Sequence, residues 1–120
     1  PENDINPRCK VSVMQWGIRG PARCLDPIAH EPTSKTGLLH LDGTVSLARP
    51  PDGTGQGVFF ICIGDQPDLD FGSLRYEDEQ GFAAFGQVIE GMDIVKSIYA
   101  LAETQDYLQV PIAVKTVTKI

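Results

Sequence analysis

Ser46, His40 and Asp42 supply the residue types of a hydrolytic triad within one short stretch. In such a triad an imidazole takes the serine proton and a carboxylate orients the imidazole. Ser46 falls inside a strand-like segment, however, without the sharp turn that presents a serine nucleophile, so the stretch carries no hydrolase reading. His30 and His40 are separated by Pro32 and Gly37 and lack metal-ligand spacing; both read as loop residues. Asp65, Asp68, Asp70, Glu77, Asp78 and Glu79 crowd one region, but their spacing fails the calcium-loop pattern, and the region reads as a charged loop. The glycine-rich GTGQG, residues 53–57, leads into a strand, so it lacks the helix N-terminus that a phosphate cradle uses. Arg49 reads as a solvated loop arginine. Cys9, Cys24 and Cys62 contain no CxxC, which leaves zinc and thioredoxin-type chemistry without support. Cys62 sits in an apolar run and reads as a small buried hydrophobe, whereas Cys9 and Cys24 lie in polar segments and could pair.

The elements that must position these groups are mostly short strands. Val58 to Ile63 is an unbroken apolar run closed by Gly64, the pattern of a buried strand. On it Phe59 and Phe60 are adjacent, so one faces the core and the other faces away. Further strands are predicted over residues 10–15, 44–48 and 83–88, and over the Val-, Ile- and Thr-rich tail at 110–120, where Pro111 near the start is tolerated. Residues 17–37 are broken by Gly17, Gly20, Pro21, Pro27, Pro32 and Gly37 and read as irregular. From Met92 to about residue 102, Ile94, Val95, Ile98, Tyr99 and Leu101 recur at helical spacing. Several strands with one clear helix predict a mainly β fold, a barrel or sandwich.

At 120 residues, 42% of them hydrophobic, the chain amounts to one domain or part of one. No stretch approaches the roughly 18 apolar residues of a membrane-spanning helix, and no signal sequence is visible at the N-terminus. The net charge is −6, from 16 acidic and 10 basic residues with no basic cluster. That balance argues against nucleic acid or an anionic membrane as partner.

The segments GTVSLARPPDGTGQGVFFI (43–61), GVFFICIGDQPDLDFG (57–72) and GFAAFGQVIEGMDIV (81–95) together resemble the cyclophilins, a family of peptidyl-prolyl cis-trans isomerases. The LAR at 47–49 and IGDQPDLDFG resemble the bacterial branch, which points to the bacterial cytoplasm or periplasm. The resemblance implies an antiparallel barrel capped by two helices, with the proline site on its outer face. Residues 1–120 would be the C-terminal two thirds of that single domain, the N-terminal strands and first helix being absent. An incomplete barrel exposes strand edges and favours self-association. The partners implied are proline-containing peptides or unfolded proteins, with no cofactor and no metal.

Position by position, the resemblance places catalysis on Gln15 and Phe60. Phe60 matches the floor of the proline pocket, Leu69 matches a wall, and Val13 stands where the family has methionine. Gln15 matches a glutamine that bonds the substrate backbone, and Ala48, Arg49 and Pro50 match the segment that pairs with an extended peptide. Phe82 stands where eukaryotic members carry histidine, Asp68 where they carry a pocket tryptophan, and Val58 replaces a glutamine that orders the site. Trp16 replaces a glycine and is expected at the entrance. The family's catalytic arginine, in a Phe-His-Arg or Phe-Tyr-Arg motif expected just before Pro1, is not in this sequence. The alternative implied is therefore a proline-peptide binding module with little or no turnover.

Overall fold

The computed structural model describes residues 3, 4, 6, 8–18, 25–102 and 108–119. Among them four strands, β1 (Val13–Gly17), β2 (Thr44–Leu47), β3 (Val58–Cys62) and β4 (Ala83–Gln87), form one antiparallel sheet in the order β1-β3-β2-β4. One helical turn, α1 (Thr33–Thr36), precedes β2, and α2 (Met92–Tyr99) follows β4. The most continuously apolar strand, β3, takes an interior position between β1 and β2, as its lack of alternating polar residues dictates.

Register divides the sheet into two faces. Gln15 and Ser46 both pair with Phe60, whereas Trp16 and Leu47 pair with Phe59. The Phe60 face carries the core of Val11, Phe60, Cys62, Leu69 and Phe82, against which Val13, Ala48 and Tyr76 pack. The opposite face carries Trp16, Phe59 and Phe85, with ring centroids 5.8 Å apart for Trp16–Phe59 and 6.0 Å for Phe59–Phe85. Trp16 is thus turned away from the site entrance at which the sequence put it, because side chains alternate along β1 and Gln15 takes the other face.

The segment between β3 and β4 folds back across the core face. A 3-10 turn at Pro67–Leu69 drives Leu69 into the interior, 2% exposed, and the Phe82 N–H returns to the Leu69 carbonyl at 2.9 Å.

Three expectations are corrected. The sheet does not close into a barrel: β1 and β4 are its edges. β1 begins at Val13 rather than residue 10, because the Val11 N–H is taken by the Asp4 carboxylate at 3.0 Å instead of a ladder partner. Residues 111–119 form no strand and are exposed throughout. Their β-branched composition signals a fit to a pleated, half-buried surface, and no strand among the described residues offers them one. A smaller difference is α1, a helical turn inside a stretch that reads as irregular; it is closed by Gly37 in the left-handed conformation at φ 75°.

Gly81 is where the returning segment passes closest to itself. It has φ 65°, and a Cβ there would lie 2.6 Å from the Leu69 oxygen and from the Asp70 carbonyl carbon. Gly81→Ala should therefore cost about 2 kcal/mol or more, through left-handed strain and backbone overlap together. A urea midpoint unchanged by the substitution would contradict this packing.

Candidate active site

A groove of about 490 Å³ opens on the Phe60 face. Its floor and walls are Phe60, Val13, Leu69 and Phe82, and its rim holds Gln15, Ala48, Arg49 and Pro50. These eight residues expected from the sequence therefore border one cavity, whereas Trp16 and Asp68 do not line it. Strand register explains the convergence, since Gln15 lies directly across from Phe60, and Ala48 to Pro50 continue from the end of β2 beside it. Phe60 is 3% exposed and meets Phe82 edge to face, centroids 5.6 Å apart at 86°, a favoured aromatic geometry. Val58, Val11, Arg75 and Tyr76 also border the groove.

Arg49 is not a solvated arginine. It is 6% exposed, with Nη1 and Nη2 each 2.9 Å from one oxygen of the Asp78 carboxylate and Nε donating to the Gly81 carbonyl at 2.8 Å. Its guanidinium lies 5.0 Å from the Tyr76 ring centroid and 5.3 Å from that of Phe82, within cation–π range. The Tyr76 hydroxyl donates to the Arg49 carbonyl at 3.1 Å. The fork of two parallel bonds, which a lysine could not make, staples the end of β2 to the segment bearing Phe82. Hydrogen bonds from Arg49 hold the Asp78 carboxyl below its ordinary 3.8.

A second guanidinium closes the other end. Arg75 donates to Asp4 Oδ2 at 2.8 Å and to the Cys9 carbonyl at 2.9 Å. Burial pushes the Asp4 carboxyl up, but bonds from Arg75 and from the Val11 and Asn6 N–H groups outweigh it, and the pKa lies below 3.8. Cys9 is a free thiol, and Cys24, its suggested partner, lies outside the described residues. Cys62 is buried, and desolvation pushes its thiol up to about 12, so it packs as an inert apolar group.

His40 lies in the loop ahead of β2, as expected, but it is not solvated there. It is 1% exposed; Nδ1 lies 2.7 Å from Asp70 Oδ1 and Nε2 lies 2.9 Å from Ser46 Oγ. The triad residue types thus do assemble, with Asp70 in the place the sequence suggested for Asp42. Asp42 instead accepts the Gly64 N–H at 2.7 Å. Ser46 is 0% exposed; a nucleophile sealed from solvent cannot reach a substrate carbonyl, so this geometry is not a hydrolase site. Burial holds the His40 pKa below 6.5 against the opposing pull of Asp70. The neutral ring therefore donates from Nδ1 and accepts the Ser46 proton at Nε2.

The acidic region between β3 and β4 is accordingly built into the site, with Asp70 and Asp78 each committed to one side chain. Sequence reasoning missed Tyr76 and Arg75, whose signal was an aromatic and a cation set among acids in SLRYEDEQ.

Comparison with known proteins bears on this groove. The family described as cyclophilin type peptidyl-prolyl cis-trans isomerase/CLD matches residues 11–119. The chain is 34% identical over 73 residues to peptidyl-prolyl cis-trans isomerase A of Dickeya dadantii, a match covering 60% of this chain and 35% of that protein. It is 37% identical over 75 residues to a peptidyl-prolyl cis-trans isomerase of Acinetobacter baylyi, covering 60% and 36%. To peptidyl-prolyl cis-trans isomerase B of Escherichia coli it is 34% identical over 80 residues, covering 64% and 46%. The matched stretch thus spans less than half the length of each of these relatives.

His40 makes the stability of the fold depend on pH. Its folded pKa is below the ordinary 6.5, so the unfolded chain takes up a proton first as pH falls, and stability declines below pH 6.5. The lowered carboxylates Asp4, Asp42 and Asp78 act only around and below 3.8, which leaves the interval between the two values to the imidazole. Urea midpoints should fall between pH 7.5 and pH 5; a flat profile would mean that His40 is not held neutral.

Proposed function

Because the chain belongs to the family of cyclophilin-type peptidyl-prolyl cis-trans isomerases, we propose that it binds X-Pro segments of peptides or unfolded proteins in the groove over Phe60 and isomerises the X-Pro bond. The observation that carries this reading is the convergence of Val13, Gln15, Ala48, Arg49, Pro50, Phe60, Leu69 and Phe82 on one cavity. Family membership also supports reading the sheet as one side of an antiparallel barrel, and residues 1–120 as the C-terminal two thirds of that domain.

The reaction sets three requirements. An X-Pro bond crosses a barrier of about 18–20 kcal/mol, and at the top the amide is twisted and the proline nitrogen carries a lone pair. A dry pocket must hold the ring, which suits Phe60, Val13 and Leu69. Polar groups must hold the flanking backbone, which suits Gln15 and the Arg49 main chain by strand addition. A donor must then meet the nitrogen in the twisted state, since only interactions stronger there than in the planar state raise the rate.

The third requirement favours a second reading. Arg49, the cation within the rim segment, has its guanidinium committed to Asp78 and Gly81, and Val58 stands where the family has an ordering glutamine. Without another donor the groove is a binding module with little turnover.

NMR exchange of a short Ala-Pro peptide, with and without the 120-residue chain, separates the two. Accelerated cis/trans exchange supports isomerisation; line broadening from binding without acceleration supports the binding module. Phe60→Ala should abolish both effects, because it removes the floor, and should also cost about 3–5 kcal/mol of stability. Absence of any peptide effect from the folded chain would refute both readings.

A further inference from the structure

We propose that His40 is a positioning residue for the groove: through Ser46 and Asp70 it sets the place of the Phe60 ring relative to Leu69 and Phe82. The inference concerns how the floor is held, and it rests on the proline-peptide reading only where peptide affinity is the readout.

The geometry puts His40 at the junction of the parts that carry the floor and walls. Its ring stacks on Phe60 with centroids 6.0 Å apart and an interplanar angle of 19°, while Phe82 meets Phe60 edge-on. Phe60 is therefore bounded by one parallel ring and one perpendicular ring. His40 Nε2 is bonded to Ser46, the residue directly across from Phe60 in the β2–β3 ladder. On its other side both the Nδ1 atom and the backbone N–H of His40 meet Asp70 Oδ1, at 2.7 and 2.9 Å. Asp70 immediately follows the wall residue Leu69, whose carbonyl accepts the Phe82 N–H at 2.9 Å. The His40 carbonyl accepts the Gln66 N–H at 2.8 Å, just ahead of the turn that buries Leu69.

A polar chain of this kind is costly beside an apolar floor unless every member is satisfied. Here both imidazole nitrogens have partners, and the serine and the carboxylate each take one. What distinguishes such a chain from apolar packing is direction. Dispersion contacts tolerate rotation and small slides, whereas two hydrogen bonds on opposite edges of one ring fix its plane. The Phe60 ring lying on that plane inherits its orientation. An ordinary satisfied core histidine would contribute stability alone, and its loss would leave the floor of any molecule that still folds in place.

The test uses the full 120-residue chain and two conservative variants. Ser46→Ala removes the Nε2 partner with almost no change of shape; His40→Gln keeps amide donors and acceptors and removes the stacked ring. Two readouts are taken at a temperature where each variant shows native chemical-shift dispersion. The first, with no peptide present, is the carbon-13 spectrum of the Phe60 ring. The second is the affinity for an Ala-Pro peptide by shift titration. The expected result is a displaced or motionally averaged Phe60 ring signal in both variants, with affinity weakened about tenfold in His40→Gln. Should His40→Gln fail to fold, Ser46→Ala alone decides. Ring signals that match the parent in the folded variants overturn the proposal. If the parent chain binds no peptide, the functional reading fails separately, and the peptide-free ring signal still supports or refutes the role of His40.

Discussion

Phe60 pairs across β3 with Gln15 on one side and with Ser46 on the other, and this register commits the rest of the sheet. Side chains alternate strictly along a strand, so a slip of one residue would bring Phe59 to the groove and send Phe60 to the face occupied by Trp16 and Phe85. The incoming phenyl group would match, but the same slip would put the larger Ile61 where Cys62 packs at 0% exposure. Gln15 reaches the rim because it shares the face of Phe60. Groove and core are therefore the same residues seen from two sides. Phe60, Leu69 and Phe82 belong to the buried cluster and also line the cavity.

Around that apolar centre, charge does the positioning. A carboxylate–guanidinium pair out of water regains little net stability, because desolvation offsets most of the attraction. Asp78 is 38% exposed on its side chain, which weakens the attraction further by solvent screening. The Arg49–Asp78 pair is better understood as a device of geometry. Two parallel bonds, a third to the Gly81 carbonyl and the faces of Tyr76 and Phe82 leave the guanidinium one position, and the loop that carries Phe82 is fixed with it. Removing Asp78 would strand a nearly buried cation, so the pair resists change more than its net contribution suggests. His40 and Asp70 do the same work for Leu69, with a neutral ring in place of a cation.

What the sequence made legible follows from the range of the interactions involved. β2, β3 and β4 and the start of α2 are local patterns of apolar residues bounded by glycines, and each lies within a residue or two of its expected place. Val13, Gln15, Ala48, Arg49, Pro50, Phe60, Leu69 and Phe82 were named through the family pattern and border the groove, whereas Tyr76 and Arg75 border it and were not named. Arg49 was misread as solvated, and the burial of His40 within its loop was missed, because their partners, Asp78 and Asp70, lie 29 and 30 positions away; no local pattern distinguishes a paired buried side chain from a solvated one. Trp16 was misread because alignment gives a position along the strand and leaves its face to be worked out from alternation. The tail at 111–119 shows the opposite failure. Its β-branched residues suit a strand, but a strand exists only where a neighbour supplies hydrogen bonds, and composition contains no information about neighbours.

The groove's two arginines frame the remaining chemical question. Arg49 is held by Asp78 and the Gly81 carbonyl, and Arg75 by Asp4 and the Cys9 carbonyl. Each guanidinium is paired with a carboxylate and a main-chain carbonyl. For either to meet a proline nitrogen it would have to leave a carboxylate it already satisfies, and a cation drawn from such a pair gives back at the nitrogen less than it surrenders. A pocket that holds a proline ring equally well in the planar and twisted states tightens binding without raising the rate. On the proposed proline-binding reading, grip and catalysis are therefore separable: Phe60, Leu69 and Phe82 with Gln15 on the rim would supply the grip, and turnover would require a donor not drawn from either wall pair.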